Sequence, residues 1–174
     1  MFERIPSNLI PWIVLAASVA TLGGAYFFQY VLGYLPCSLC LQERIPYFFA
    51  IGAALIAGIL SREANLGIWP VVFMAVCALA FGINTILSAY HVGVEYKWCP
   101  GPDTCSSVGG MPKTLEEMHA ALAKGSHLPR CDEAAWTLFG ISLAGFNFMI
   151  TLALFALSAL SPLRFWLEAH GEDL

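Results

Sequence analysis

The stretch PCSLCLQERIPYFFAIGAALIAGIL, residues 36–60, joins a pair of cysteines directly to an apolar run. Its uncharged part, from Pro46 to the end, is only 15 residues long. An α-helix rises about 1.5 Å per residue, so it needs about 20 residues to cross the roughly 30 Å hydrocarbon core of a bilayer. Beginning the helix near Cys40 gives 21 residues. We therefore predict a membrane span that begins there, with Cys37 and Cys40 at the membrane boundary and Arg44 about one turn inside.

Three further uncharged runs are long enough to cross a bilayer. Of the 174 residues, 59% are hydrophobic and 11% are charged, which is outside the usual soluble range. Trp69 and Trp136 begin two of the runs with aromatics typical of membrane interfaces, and Pro162 follows the last run as a stop. We predict an all-α fold, an integral membrane four-helix bundle that forms one domain over residues 1–174. The spans are predicted at about 11–34, 40–60, 69–90 and 136–160, with loops at 35–42 and 91–135.

Two local features of this bundle are predicted. Residues 114–117, TLEE, match a capping box, and Gly125 is a suitable stop for a short amphipathic helix in the long loop between spans three and four. Such a helix either packs over the bundle or lies flat in the membrane interface. Small residues are expected where helices touch. The glycines available for such contacts are Gly23, Gly24, Gly52, Gly58, Gly82 and Gly145.

The orientation of the bundle is weakly encoded. Four spans place both termini on one side of the membrane and both long loops on the other. Lys and Arg are more numerous on the loop side, so the positive-inside rule by itself weakly favours cytoplasmic loops. Five of the six cysteines lie on the loop side, and disulfides persist in oxidising compartments. We give the cysteines precedence and predict a bacterial inner membrane protein with cytoplasmic termini and periplasmic loops.

The net charge bears on a different class of partner. It is −4, and the eight Lys and Arg residues are scattered singly. Proteins that bind nucleic acid need clustered cations to neutralise phosphates. We therefore expect no nucleic-acid partner, and we predict that the chain lies in a lipid bilayer.

The Cys37-Ser38-Leu39-Cys40 motif allows three interpretations: a redox disulfide, half of a zinc site, or a structural disulfide. A zinc site would need Cys105 and Cys131 as further ligands, and neither belongs to a second CxxC. A disulfide between such close neighbours does little to restrain an unfolded chain. The motif therefore favours redox chemistry, with no metal.

Two charged or titratable neighbours extend this motif. Arg44 follows Cys40 by four residues, so in a helix both share one face, and the cation would stabilise a thiolate. The alternative for Arg44 is a snorkelling interfacial arginine, paired with Glu43. His91, at the end of span three, is either a functional group or a polar interfacial anchor.

The remaining cysteines have several possible roles. Cys105 and Cys131 enclose a long loop that a disulfide would restrain, so they can be structural, redox-active, or both. Cys99 has no assigned partner. Cys77, in the middle of span three, is most simply a small buried apolar residue.

Taken together, these motifs resemble the disulfide bond formation protein B (DsbB) family, quinone-reducing thiol oxidases of bacterial inner membranes. The likeness covers nearly the whole chain. It combines a CxxC followed by Glu-Arg at the mouth of the second of four spans with two further cysteines between spans three and four. The matching stretches are PCSLCLQER at 36–44, YHVGVE at 90–95, PGPDTC at 100–105, and CDE at 131–133 ahead of GIS at 140–142.

This resemblance implies an electron path. Cys105, paired with Cys131, would be attacked by a soluble thioredoxin-like, DsbA-like dithiol oxidase, and Cys131 would then exchange with Cys37. Cys40 would be the thiolate that faces a bound quinone, ubiquinone or menaquinone. The resemblance also implies that Arg44 and His91 border the quinone head, the latter less surely.

One departure and two competing functions accompany the resemblance. Cys99 stands where many relatives carry a bulky aromatic, which leaves a Cys99–Cys105 pairing open. The competing functions are a reductase resembling vitamin K epoxide reductase, whose CxxC belongs near the last span, and a non-catalytic membrane scaffold braced by disulfides.

Overall fold

Four long helices dominate the computed structural model, which describes residues 6–62, 68–102, 115–116 and 130–170. After a 3-10 turn at Ser7–Leu9, the elements are α1 (Ile10–Tyr30), α2 (Ser38–Leu60), α3 (Trp69–Glu95), β1 (Thr137–Leu138), β2 (Ile141–Ser142) and α4 (Leu143–His170). Each helix contains a segment long and apolar enough to cross a membrane. The predicted four-helix membrane bundle is thereby confirmed.

The centre of the bundle is formed by α3, which packs against both α2 and α4. Phe81 and Met74 of α3 are fully buried, and the ring of Phe81 meets Tyr47 of α2 edge-on at 5.8 Å. Large apolar side chains on the outer faces, such as Leu79 and Ile86, are exposed, as expected for a protein solvated by lipid. Cys77 is fully buried in α3, as its position in the middle of a span predicts.

Glycine allows close helix contact at two of the predicted positions. A Cβ atom built on Gly58 of α2 would lie 2.9 Å from the Trp12 ring of α1, and one on Gly82 of α3 would lie 3.2 Å from the Phe155 ring of α4. Nothing lies within 4 Å of the corresponding point at Gly23, Gly24 or Gly52. Composition alone therefore identified the type of contact residue but not its location.

Helix α1 ends four residues before the predicted position. Gly33 adopts a left-handed backbone conformation with φ +77°, which glycine tolerates and which ends helices. The backbone N–H of Tyr34 donates to the carbonyl oxygen of Phe28 at 3.0 Å, which satisfies one of the last helical carbonyls. The chain thus turns toward α2 within the stretch that was predicted to remain helical.

Helix α4 begins seven residues after the predicted start at 136, because a two-stranded hairpin precedes it. Phe139 and Gly140 form its turn, with φ +53° and +79°, the positive values that a tight two-residue hairpin turn requires. The hydroxyl of Ser142 then accepts from the N–H of Gly145 at 3.1 Å and donates to the carboxylate of Glu95 at the end of α3. An apolar sequence alone does not distinguish this short hairpin from a helical turn.

The other end of α4 also differs from the prediction. The helix continues through Pro162, which was predicted as a stop after residue 160, and ends at His170.

Of the predicted amphipathic helix, Leu115 and Glu116 are helical and exposed. The rest of residues 114–125 lies outside the part of the chain that the structure describes. Cys105 also lies outside it.

Candidate functional site

The CxxC motif lies at the N-terminus of α2. Cys37 is the N-cap residue with extended backbone, and its sulfur accepts from the backbone N–H of Cys40 at 3.3 Å. Both cysteines are free thiols, and their sulfur atoms lie 3.1 Å apart. Cys37 is buried, whereas Cys40 is partly exposed. The motif therefore presents two unequal sulfurs at the membrane boundary, as its position in the sequence predicts.

Cys37 lies outside the spanning segment, and its environment favours the thiolate. A hydrogen bond from the Cys40 thiol lowers the pKa of Cys37 well below its usual value of 9.0, and a hydrogen bond and positive charge from His91 lower it further against the opposing effect of burial. The unpaired N–H groups at a helix N-terminus act in the same direction. The surroundings of Cys37 therefore favour its ionised form.

His91, in the last turn of α3, is the side chain that connects the thiol pair to a carboxylate. Its Nε2 atom lies 3.6 Å from Cys37 Sγ, and its Nδ1 atom lies 2.9 Å from Glu43 Oε1. His91 and Glu43 are 2% and 6% exposed. A carboxylate this deeply buried requires partners, and His91 is one of them.

Asn147 of α4 provides the second partner of Glu43. Its side-chain amide donates to Glu43 Oε2 at 3.0 Å, and the hydroxyl of Tyr47 donates to Asn147 Oδ1 at 2.7 Å. Both carboxylate oxygens of Glu43 are therefore hydrogen-bonded, and the network links α2, α3 and α4. Sequence reasoning missed Glu43 and Asn147 as site residues. The available signal for Glu43 was an acidic residue one turn inside a membrane span.

Cys131 lies beside this end of α2. It is disulfide-bonded and 1% exposed, and its sulfur is 3.5 Å from the hydroxyl of Ser38. It packs in one apolar cluster with Cys37, Leu39 and Val94. The structure therefore brings together three of the four cysteines that the sequence singled out as catalytic.

Cys99 is a free thiol in the structure, so it is not joined to Cys105 in the alternative pairing that the sequence left open. It lies beside the end of α3, where a Cβ atom on Gly93 would come within 3.2 Å of the Cys99 sulfur. Cys99 also packs against the apolar cluster that contains Cys37 and Cys131.

A cavity of about 420 Å³ opens on the other side of Cys40, between α1, α2, α4 and the hairpin. Most of its lining is apolar, and the rings of Phe28, Trp136 and Phe146 form a continuous aromatic wall with centroid separations of 5.1 and 6.4 Å. The lining residues with polar side chains are Thr21, Gln29, Tyr34, Cys40, Glu43, Arg44, Tyr47 and Asn147. A flat apolar ring with polar substituents would fit such a lining.

Arg44 lines this cavity, but its contacts differ from the predicted one. The guanidinium donates from Nη1 to Gln29 Oε1 at 2.5 Å and lies over the Tyr26 ring, 4.9 Å from its centroid. These contacts join the cation to α1 at the cavity wall. Glu43, its proposed partner under the snorkelling interpretation, pairs with His91 instead.

His91 was also expected to border the quinone head, and that role stays a prediction. It is absent from the cavity lining, and its ring contacts Cys37 behind the CxxC motif. Within the described residues, Cys37 Sγ, Cys40 Sγ and a ring nitrogen of His91 lie within 4.8 Å of one another and could hold a metal ion.

Comparison with known proteins agrees with this geometry. The family model described as disulfide bond formation protein DsbB matches residues 7–161. An uncharacterized protein of Rickettsia prowazekii is 29% identical over 82% of this chain and 80% of its own length. Disulfide bond formation protein B of Verminephrobacter eiseniae is 29% identical over 84% of this chain and 80% of its own length. The protein of the same name from Actinobacillus pleuropneumoniae is 28% identical over 90% of this chain and 86% of its own length. No solved structure gives a significant match.

Proposed function

Because this chain belongs to the disulfide bond formation protein DsbB family, we propose that it reoxidises a soluble thioredoxin-like dithiol oxidase and transfers the electrons to a membrane quinone. Membership makes it a multi-pass membrane protein of disulfide bond formation. The partner, the quinone and the order of the four cysteines belong to the proposal. So does the orientation, with the cysteine loops in the periplasm of a bacterial inner membrane.

One observation carries the proposal. Cys37 packs against the disulfide-bonded Cys131 on one side, and Cys40 faces the apolar cavity on the other. The CxxC motif therefore lies between a disulfide and a space suited to an apolar electron acceptor. A scaffold disulfide needs neither neighbour.

The first part of the path is thiol–disulfide exchange. We assign Cys105 as the partner of Cys131 and as the sulfur that the reduced soluble oxidase attacks. This exchange gives an oxidised partner and a reduced loop pair. Cys131, as a thiolate, then attacks Cys37, which forms a Cys131–Cys37 mixed disulfide and releases Cys40. Cys105 attacks Cys131 in turn, which restores the Cys105–Cys131 disulfide and leaves Cys37 and Cys40 as thiols. Two electrons and two protons pass along the chain in each cycle.

The second part is oxidation of the CxxC thiols. Cys37 and Cys40 lose two electrons and two protons as their disulfide forms, and a quinone bound in the cavity accepts them to become a quinol. Arg44 lines the cavity and supplies preorganised positive charge where negative charge develops on an acceptor oxygen. The aromatic wall formed by Phe28, Trp136 and Phe146 would hold the ring of the acceptor.

The energetics support a quinone rather than another protein disulfide as the acceptor. Soluble oxidases of this type reach about −120 mV, and each 30 mV uphill costs about 1.4 kcal/mol for two electrons. An acceptor at higher potential is needed to regenerate such a partner. Quinones dissolve in the bilayer, which explains why the CxxC lies at its edge.

The test is quinone reduction by purified protein supplied with a reduced dithiol partner. We expect Cys40→Ser to abolish turnover and Cys99→Ser, a matched free cysteine at the same end of the bundle, to retain it. A partner whose second cysteine is removed should be trapped as a mixed disulfide on Cys105. Turnover retained in Cys40→Ser would contradict the proposed path through the CxxC motif, whereas absence of turnover in the unmodified protein would favour a disulfide-braced scaffold.

A further inference from the structure

We propose that the reduced site binds a thiophilic divalent metal ion such as Zn²⁺ through Cys37, Cys40 and His91, and that this binding blocks reoxidation. Two sulfurs and an imidazole are the ligand set of zinc sites that keep an open fourth position. The set differs from a four-cysteine site, because it uses a histidine that lies 54 positions from Cys37 in the sequence.

The ligand geometry is close to that of a tetrahedral site. Zn–S and Zn–N bonds of about 2.3 and 2.05 Å at tetrahedral angles require an S–N separation of about 3.6 Å and an S–S separation of about 3.8 Å. Cys37 Sγ lies 3.6 Å from His91 Nε2, and the two sulfurs lie 3.1 Å apart. The sulfurs must therefore separate by about 0.7 Å, and all three ligand atoms lie within 4.8 Å of one another.

A second layer of contacts already orients the histidine. A metal-binding imidazole usually donates its other N–H to a carboxylate, which fixes the ring and its tautomer. Here Nδ1 of His91 lies 2.9 Å from Glu43 Oε1, and Asn147 holds the other carboxylate oxygen at 3.0 Å. With Nδ1 protonated, Nε2 carries the free electron pair, and this atom lies 3.6 Å from Cys37 Sγ.

Charge and access are also suitable. Two thiolates and a neutral imidazole around a divalent cation carry no net charge, so the complex avoids the cost of a buried charge. Binding releases two protons from the group formed by Cys37, Cys40 and His91 and transfers no electrons, so the cysteines remain reduced. Cys40 borders the cavity, which gives the fourth coordination position an open direction.

The consequence for turnover rests on the proposed function. A disulfide requires the two sulfurs to approach to about 2.05 Å, which metal-bound thiolates cannot do. The oxidised site offers no thiolate ligands and cannot bind the ion. Zn²⁺ would therefore inhibit after the site has been reduced, and a chelator would restore activity.

The binding test uses chemically reduced, purified full-length protein titrated with Zn²⁺, and with Co²⁺ as a spectroscopic probe. We expect one ion per chain, with thiolate-to-cobalt charge-transfer bands that are absent from oxidised protein. His91→Ala should abolish tight binding, and Glu43→Gln should weaken it about 10–100-fold. Cys99→Ser is the matched control and should bind as the unmodified protein does.

Reduction also frees Cys131, so Cys131→Ser distinguishes the two possible ligand sets. We expect it to retain full affinity. Loss of binding in Cys131→Ser with retention in His91→Ala would assign a four-cysteine site and overturn the proposal, as would equal binding to oxidised protein. Because this titration requires no turnover, absence of binding contradicts the metal site alone, and absence of quinone reduction in metal-free protein contradicts the proposed function alone.

Discussion

At the scale of single residues, His91 is one of two side chains that favour the ionised form of Cys37. The ring lies between the Cys37 sulfur and the Glu43 carboxylate, so positive charge on it is stabilised and is presented to the thiolate. The pKa of Cys37 is lowered first by the Cys40 thiol and then by His91. A group with a depressed pKa stays ionised at neutral pH and is protonated only as the pH falls through that lowered value.

We therefore predict that alkylation of reduced Cys37 is nearly independent of pH between about 6 and 8. In His91→Ala the pKa should rise toward the usual thiol value, so that alkylation at pH 6 slows by about tenfold or more and recovers as the pH approaches 9. Peptide mass spectrometry after timed alkylation measures this. Ser88→Ala, one turn earlier on α3, is the control, and an unchanged pH profile in His91→Ala would contradict the role of the imidazole.

Arg44 is predicted to act on the quinone rather than on the disulfides. Arg44→Ala removes a charged donor from the cavity wall, a loss of about 1.5–3 kcal/mol, so the KM for quinone should rise about 10–100-fold. Arg44→Lys keeps the charge but loses the planar fork, so its KM for quinone should lie between those of the unmodified protein and Arg44→Ala. Arg62→Ala is the matched control, since Arg62 lies over Trp12 at the other end of α2. Unaltered kinetics in Arg44→Ala would make this residue an interfacial anchor.

The sequence predicted the CxxC motif and Arg44 as site residues but not Glu43 or Asn147, and the difference has a physical reason. The CxxC and Arg44 are local features, whose spacing in a helix follows from its period. The contact between Glu43 and His91 joins residues 48 positions apart, and that with Asn147 spans 104 positions. Such contacts depend on how α2, α3 and α4 pack, which no local pattern contains. The same packing drew Arg44 toward Gln29.

At the scale of helices, the contact of α1 with α2 depends on the absence of a side chain at Gly58. A Cβ atom there would lie 2.9 Å from the Trp12 ring, whereas nothing lies within 4 Å of the same point at Gly52 on the same helix. Gly58→Leu should lower the free energy of unfolding by about 1–3 kcal/mol through overpacking. Gly52→Leu should change it by less than about 0.5 kcal/mol. Thermal unfolding in detergent compares the two, and equal stability would contradict close packing at Gly58.

Helix boundaries were predictable where hydrophobic length determined them. The requirement for about 20 residues led to a start of α2 near Cys40, and the helix begins at Ser38. Where the chain stays apolar beyond the end of a helix, the length of the apolar run does not indicate where the helix begins or ends. The hairpin before α4 is one such case, because Phe139 and Gly140 turn the chain through positive φ values that hydropathy does not encode.

At the scale of the whole molecule, the distribution of charge and the cysteines give opposite predictions of which membrane face carries the cysteines. The distribution of Lys and Arg favours placing the loops in the cytoplasm, because Arg44, Lys97, Lys113, Lys124 and Arg130 oppose Arg4, Arg62 and Arg164. The disulfide bond of Cys131 favours an oxidising compartment. The first argument predicts cytoplasmic loops and the second predicts periplasmic loops, so an experiment can decide between them.

We predict that the cysteine face is periplasmic, and Cys99 is a suitable reporter because it is a free, partly exposed thiol beyond the end of α3. In a variant with Ser at the four proposed redox positions, a membrane-impermeant maleimide should label Cys99 in intact spheroplasts. Cys77, fully buried in α3, is an internal control that should stay unlabelled. An added Arg62→Cys, just beyond the opposite end of α2, should be labelled only after permeabilisation. The reverse pattern would place the cysteines in a reducing compartment, where thiol oxidation by a periplasmic partner could not occur, and would overturn the orientation together with the proposed partner.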